Sequence, residues 1–256
     1  MNLTNCYPSL SGKVVFITGG ATGIGANIVE SFCRQQAKVC FIDIQDKAAA
    51  ELISRMSAID GAVLPCYYSC NLLNIDDLKQ SVARAINAFG GIDVLINNAA
   101  NDTRHDFRNI DEQYWDERIN LNLRHYFFAI QAVYESMKLR GGGSIINMGS
   151  MSWHACQGGM TGYTTSKAGI EGVTRGLARD LAKDDIRINT ITPGWVMTER
   201  QKKEWLDDEA LTTIKRNQCL ASPLTPENIS AMALFLASDD SRMCTAQNFI
   251  VDGGWI

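Results

Sequence analysis

A chain of 256 residues, 46% hydrophobic and 20% charged, can bury its own core and has the composition of neither a disordered segment nor a fibre. Its formal net charge is -4 and it carries no basic tail or dense Lys/Arg run, which argues against nucleic acid or an anionic membrane as a partner. No run of about 18 apolar residues occurs, so no membrane span is expected, and the opening MNLTNCYPSLSGK lacks the apolar stretch of a secretion signal.

In chain order, residues 13–18 form a near-continuous apolar run, as a strand covered on both faces requires. Similar runs occupy 38–43, 62–69, 92–97, 143–148, 186–192 and 247–252, and helical patterns fill most of the gaps, notably 111–139 and 161–182. Strand–helix alternation of this kind predicts an α/β fold. It is a single Rossmann-type, doubly wound parallel sheet of about seven strands with helices on both faces. No Pro- or Ser-rich linker divides the chain, so one domain spanning 1–256 is expected. The charged stretch 195–221 interrupts the rhythm and reads as a small helical lid over a site. The eight cysteines form no CxxC pair and no zinc-spaced cluster with histidine. They are expected to be buried, reduced thiols of a cytoplasmic protein, and no metal is expected.

The first strand runs into Thr18-Gly19-Gly20-Ala21-Thr22-Gly23-Ile24-Gly25, and a helical pattern follows. Glycines are needed there because a pyrophosphate must approach backbone N–H groups closely, and the positive end of the helix favours its charge. The second strand ends in Asp43, 24 residues after Gly19. A carboxylate at that place accepts hydrogen bonds from ribose hydroxyls and repels a 2′-phosphate, while Thr22 and Ile44 offer no cation to hold one. The expected cofactor is therefore NAD rather than NADP.

Tyr163 and Lys167 stand four residues apart and share one helical face. A phenol titrates near pH ~10, so a neighbouring ammonium and a cationic nicotinamide would both help it act as a base. Ser150, 13 residues before Tyr163, lies just past a strand end, where its hydroxyl can hold the oxygen of a reacting carbon. Asn122 falls inside the long 111–139 helical pattern, where a buried amide needs partners. It serves either to hold a proton-relay water near Lys167 or to bridge two helices.

These motifs resemble the short-chain dehydrogenase/reductase family over essentially the whole chain. The matching runs are TGGATGIG (18–25), Asp43, NNAA (97–100), Asn122, Ser150, YTTSK (163–167), PGWVMT (193–198) and VDGG (251–254). The resemblance implies a catalytic tetrad of Asn122, Ser150, Tyr163 and Lys167. It implies a cofactor site of Gly19, Ala21, Thr22, Gly23, Ile24, Gly25, Asp43, Ile44, Ala99, Tyr163, Lys167 and Pro193. Asn71, Leu72 and Asn98 would lie on its adenosine side, and Val196 and Thr198 on its carboxamide side. Ala100 departs from the family's usual glycine. The family commonly forms homotetramers through the two long helices after strands four and five, and the same is expected here.

Membership alone leaves the substrate open. The strand-end loops are polar with aromatic platforms, which suits a polyhydroxylated ring better than a steroid or acyl chain. The substrate candidates are Asn101, Arg104, His105, Ser150, Trp153, His154 and Arg200. Arg104 has the alternative of pairing with Asp102 or Asp106, His154 that of a structural role, and Arg200 that of recognising an anionic group. His125 is assigned to a helix interface. The runs NNAANDTRH (97–105), YWDERINLNLRH (114–125), GSMSWH (149–154), KAGIEG (167–172) and LASDD (236–240) resemble bacterial NAD-dependent aldose 1-dehydrogenases of the D-xylose type. That implies oxidation of an anomeric carbon to a lactone. The alternatives are another polar alcohol or ketone: a polyol, a sulfo- or uronate sugar, or a keto-sugar acid. A non-catalytic NAD sensor would not need both Tyr163 and Lys167.

Overall fold

The computed structural model describes residues 5–256. Seven parallel strands form one sheet: β1 (Val14–Thr18), β2 (Lys38–Asp43), β3 (Cys66–Ser69), β4 (Val94–Asn97), β5 (Gly143–Met148), β6 (Ile186–Pro193) and β7 (Asn248–Val251). Their order is β3-β2-β1-β4-β5-β6-β7, so the winding reverses between β1 and β4. Crevices outside strand C-termini at such a reversal are where open α/β sheets bind ligands.

Alternation along the strands builds two cores. Val15, Ile17, Val39 and Phe41 face one way, toward α1 (Gly23–Arg34), α2 (Asp46–Ser57) and α9 (Pro226–Ala237). Val14, Phe16, Cys40 and Ile42 face the other, toward α3 (Ile75–Phe89), α5 (His125–Leu139) and α6 (Thr161–Ala182). Burial on both faces explains the unbroken apolar runs. Only 66–69 of the expected third strand pairs with β2; the preceding Pro65 lacks the N–H that a ladder position needs.

The expected 111–139 helix is interrupted. α4 (Glu112–Ile119) opens with Asp111, whose side chain accepts from Tyr114 N at 2.8 Å. A π-helical turn at Asn120–Arg124 separates it from α5. Such turns add a residue to the helix and recur at functional sites. Residues 199–217 carry two short helices, α7 (Glu199–Glu204) and α8 (Asp208–Asn217), beside the strand C-termini. Among the described residues no helix is long and apolar enough to cross a membrane. None of the eight cysteines is paired; contrary to the expectation of burial, Cys6, Cys156 and Cys219 are exposed and Cys66 and Cys244 half-buried.

Candidate active site

A cleft of about 1580 Å³ runs along the strand C-termini, from Asp43 and α2 at one end to Tyr163 and α7 at the other. Close backbone approach shapes its floor. A Cβ on Gly25 would lie 1.9 Å from the Gly19 carbonyl oxygen, and one on Gly19 would lie 2.7 Å from Ala99 Cα. Gly19 also has φ +68°, a conformation that only glycine adopts without strain. The N-cap of α1, Thr22, makes no side-chain cap, so the first N–H groups of that helix remain available to an anion in the cleft. The α4 and α8 N-termini, by contrast, are capped by Asp111 and Asp207.

The adenosine end is set by Asp43, which is 9% exposed. One carboxylate oxygen accepts from Ala21 N at 3.0 Å and the other from Gln45 N at 3.0 Å. The charge therefore holds the glycine loop in place while still lining the cleft. Ile44, Asn71, Leu72, Asn98 and Ala99 continue the same wall, and Asn98 Nδ2 donates to the Thr18 and Gly19 carbonyls. Pro193, Val196 and Thr198 line the opposite end, and Thr198 caps α7 through Gln201 N. Every residue expected to contact the cofactor thus borders one cavity.

Tyr163 and Ser150 meet at the far end of the cleft. Burial of the phenol pushes its pKa up to about 12, a hydrogen bond from Ser150 draws it back, Asp102 raises it, and Arg104 and Arg200 lower it. Ser150 Oγ also lies 3.0 Å from Ser152 Oγ. Lys167 is buried, and loss of hydration pushes its pKa down to about 7. Its ammonium donates to Met148 O at 2.6 Å and to Tyr126 Oη at 3.0 Å. It stands 5.5 Å from the Tyr163 ring centroid, so it acts on that ring through space. A buried polar chain underlies the group: Asn97 Nδ2 donates to Asn147 Oδ1, Asn147 Nδ2 to Thr174 Oγ1, and Thr174 meets Thr190.

For Asn122 the structure corrects the bridge between two helices. Its side chain does not line the cleft and does not bridge two helices. Oδ1 accepts from Asn101 N at 2.7 Å and Nδ2 donates to Asn101 O at 3.1 Å, so its partner is the main chain of the loop after β4. Of the substrate candidates, Asn101, Arg104, Ser150 and Arg200 line the cleft. His105, Trp153 and His154 do not. His105 Nδ1 is taken by Tyr114 Oη at 3.1 Å, and His154, stacked on Trp153 at 3.6 Å, turns to Glu171 at 3.4 Å. Arg104 pairs with neither Asp102 nor Asp106; its guanidinium lies 5.0 Å over the Trp205 ring. Asp106 is engaged by Arg108 and Asp102 by Arg200. His125 is fully buried in α5, its ring 4.5 Å from that of Tyr126.

Asp102, Arg118, Gln157 and Met160 also line the cleft and were not anticipated. Arg118 lies one helical turn before Asn122, and Gln157 and Met160 just before α6, so proximity in sequence to the tetrad was the available signal. Among the described residues no cluster of His, Cys, Asp and Glu is placed to hold a metal.

A family model described as enoyl-(acyl carrier protein) reductase matches residues 19–256. The D-xylose 1-dehydrogenase of Caulobacter vibrioides is 47% identical over 249 residues, covering 97% of this chain and 98% of that protein. A protein of Rhizobium meliloti described as a probable galactose dehydrogenase is 40% identical over 248 residues, covering 97% and 96%. Among solved structures, a 7α-hydroxysteroid dehydrogenase complexed with NADH and 7-oxo glycochenodeoxycholic acid superposes with a TM-score of 0.91 at 28% identity, covering 98% of this chain and 96% of that one.

Proposed function

Because the chain belongs to the short-chain dehydrogenase/reductase family, we propose that it oxidises the anomeric carbon of an aldose to an aldonolactone, with NAD as hydride acceptor. The observation that carries the substrate class is the 47% identity to D-xylose 1-dehydrogenase over nearly the whole of both chains. The polar rim of Asn101, Asp102, Arg104, Arg200 and Gln201 supports it, because each buried sugar hydroxyl needs a partner.

The uncapped α1 N-terminus and the glycine floor fit a dinucleotide pyrophosphate. Asp43 favours free ribose hydroxyls at the adenosine end and so favours NAD; Arg55, on the same cleft wall, lies at the far end of α2 beyond Glu51. The nicotinamide, when bound, supplies the hydride acceptor. Tyr163, as phenolate, takes the proton of the anomeric hydroxyl, and Ser150 holds the same oxygen. Lys167 contributes charge from beneath and a donor to the cofactor ribose. Asn122 contributes by fixing the Asn101 backbone. Helices α7 and α8 form the lid. Copies of the chain assemble as a homotetramer through α4, α5 and α6, with Phe127 exposed on α5 for that contact.

The test is product identification after incubation with D-xylose or D-galactose and NAD. Formation of the aldonolactone, or of the aldonate it hydrolyses to, is the expected result. NADH production from polyols or keto acids with none from any aldose would replace this reading.

A further inference from the structure

We propose that Asp102 is a positioning residue that ties α7 to the β4 loop and so sets the substrate wall of the cleft against Tyr163. Helix α7 has six residues and none of them is buried, so apolar packing cannot hold it in place. Polar contacts do. One Asp102 carboxylate oxygen meets Arg200 Nη1 at 2.9 Å, and the other accepts from Gln201 Nε2 at 3.1 Å. The Asp102 side chain is 18% exposed against 45% for Arg200, which places the pair at the inner edge of the helix. Such a half-sheltered, charge-assisted contact is less screened than a surface pair.

The tie is anchored at both ends. Behind Asp102, the Asn101 backbone is clamped on both sides by the Asn122 amide. Beyond it, Arg200 Nε donates to Glu204 at 3.0 Å, and Arg104 from the same loop lies over Trp205 just past the helix. A rigid strand end thus reaches α7 through two adjacent side chains. The charged and titratable groups acting on Tyr163 are Asp102 and Arg104 from the β4 loop, Arg200 from α7, Lys167 on its own helix and Tyr126 from α5; Ser150 hydrogen-bonds to it. Asp102 and Arg200 act on it with opposite sign.

Only the kinetic half of the test rests on the aldose reading. Asp102→Asn, Arg200→Gln and the double variant are compared by amide hydrogen exchange over residues 199–205, without substrate, and by the pH profile of kcat/KM for aldose oxidation. Each single variant is expected to speed exchange of α7 by about tenfold, the effect of losing one charge-assisted hydrogen bond, and the double variant no further. The acidic limb, set by deprotonation of Tyr163, moves to lower pH in Asp102→Asn and to higher pH in Arg200→Gln. A structural role alone would not move the two in opposite directions. Unchanged exchange in the single variants, additive exchange in the double variant, or limbs that stay put overturns the proposal. If Asp102→Asn fails to fold, Asp102→Ser takes its place in both arms and in the double variant, with Arg200→Gln, exposed on α7, unchanged as its partner. Absence of aldose turnover by the wild type would refute the function and leave the exchange arm to decide the role of Asp102.

Discussion

The Asn122 side-chain amide grips the main chain of Asn101 from both sides, accepting from its N–H at 2.7 Å and donating to its carbonyl at 3.1 Å. The grip comes from a π-helical turn with Asn122 fully buried, so neither bond has water as a substitute. Asn122→Ala is expected to destabilise the fold by about 1–3 kcal/mol, because it strands a donor and an acceptor. Turnover falls as well, since the β4 loop carries Asp102 and Arg104. Urea unfolding alongside steady-state kinetics reads both effects; unaltered stability would contradict the clamp.

Tyr163→Phe removes the proton acceptor and keeps the ring. Turnover is expected to drop by about 10²–10⁴-fold, the usual contribution of a positioned acid–base group. NADH affinity, measured by fluorescence titration, stays near the wild-type value because the cofactor wall is untouched. Retention of more than roughly a tenth of the activity would assign the base elsewhere.

Lys167 gives stability a pH dependence of known sign. In the folded chain burial pushes its pKa down to about 7, against an ordinary value of 10.5. Between those values the unfolded chain binds the proton and the folded chain does not, so stability rises with pH through that window. Tyr163, raised to about 12, works in the opposite direction only above its ordinary value of 10. Denaturant unfolding of wild type and Lys167→Met at neutral and alkaline pH should show the wild type gaining on the variant as pH rises. A constant difference would mean that Lys167 keeps its proton in the folded state.

Asp43→Asn keeps the shape and removes the charge. Its two contacts to Ala21 N and Gln45 N cannot both survive, since one oxygen becomes a donor. Efficiency with NAD is expected to fall by about tenfold and the preference against NADP to shrink, because repulsion of the 2′-phosphate is gone. Initial rates with both cofactors check this. An unchanged ratio would remove Asp43 from cofactor choice.

Much of this site is legible in the amino-acid order because its parts are local. The glycine loop lies within one strand–helix junction, and Tyr163 and Lys167 within one helical turn. The strands declare themselves by apolar runs, since both faces are covered. What sequence hides depends on distant partners. Arg200 meets Asp102 from a different strand end, far away in sequence, and nothing in either neighbourhood announces the pair. The partners of His105 and His154, Tyr114 and Glu171, are likewise not announced by their neighbourhoods. The π-turn at 120–124 is invisible to periodicity, because one extra residue leaves the apolar pattern on either side intact. Pro65, by contrast, is a local signal for the start of the third strand, which the apolar run 62–69 overrode.

The most direct test of the central claim compares kcat/KM for aldoses with that for the matching alditols, using purified protein and NAD and following NADH absorbance. The alditol keeps the hydroxyls at the intervening carbons but is open-chain, with a primary alcohol in place of the anomeric carbon. Rapid NADH formation with an aldose, absent with its alditol and lost in Tyr163→Phe, is the predicted result. Equal or greater rates with the alditol, or none with any aldose, would contradict oxidation at the anomeric carbon.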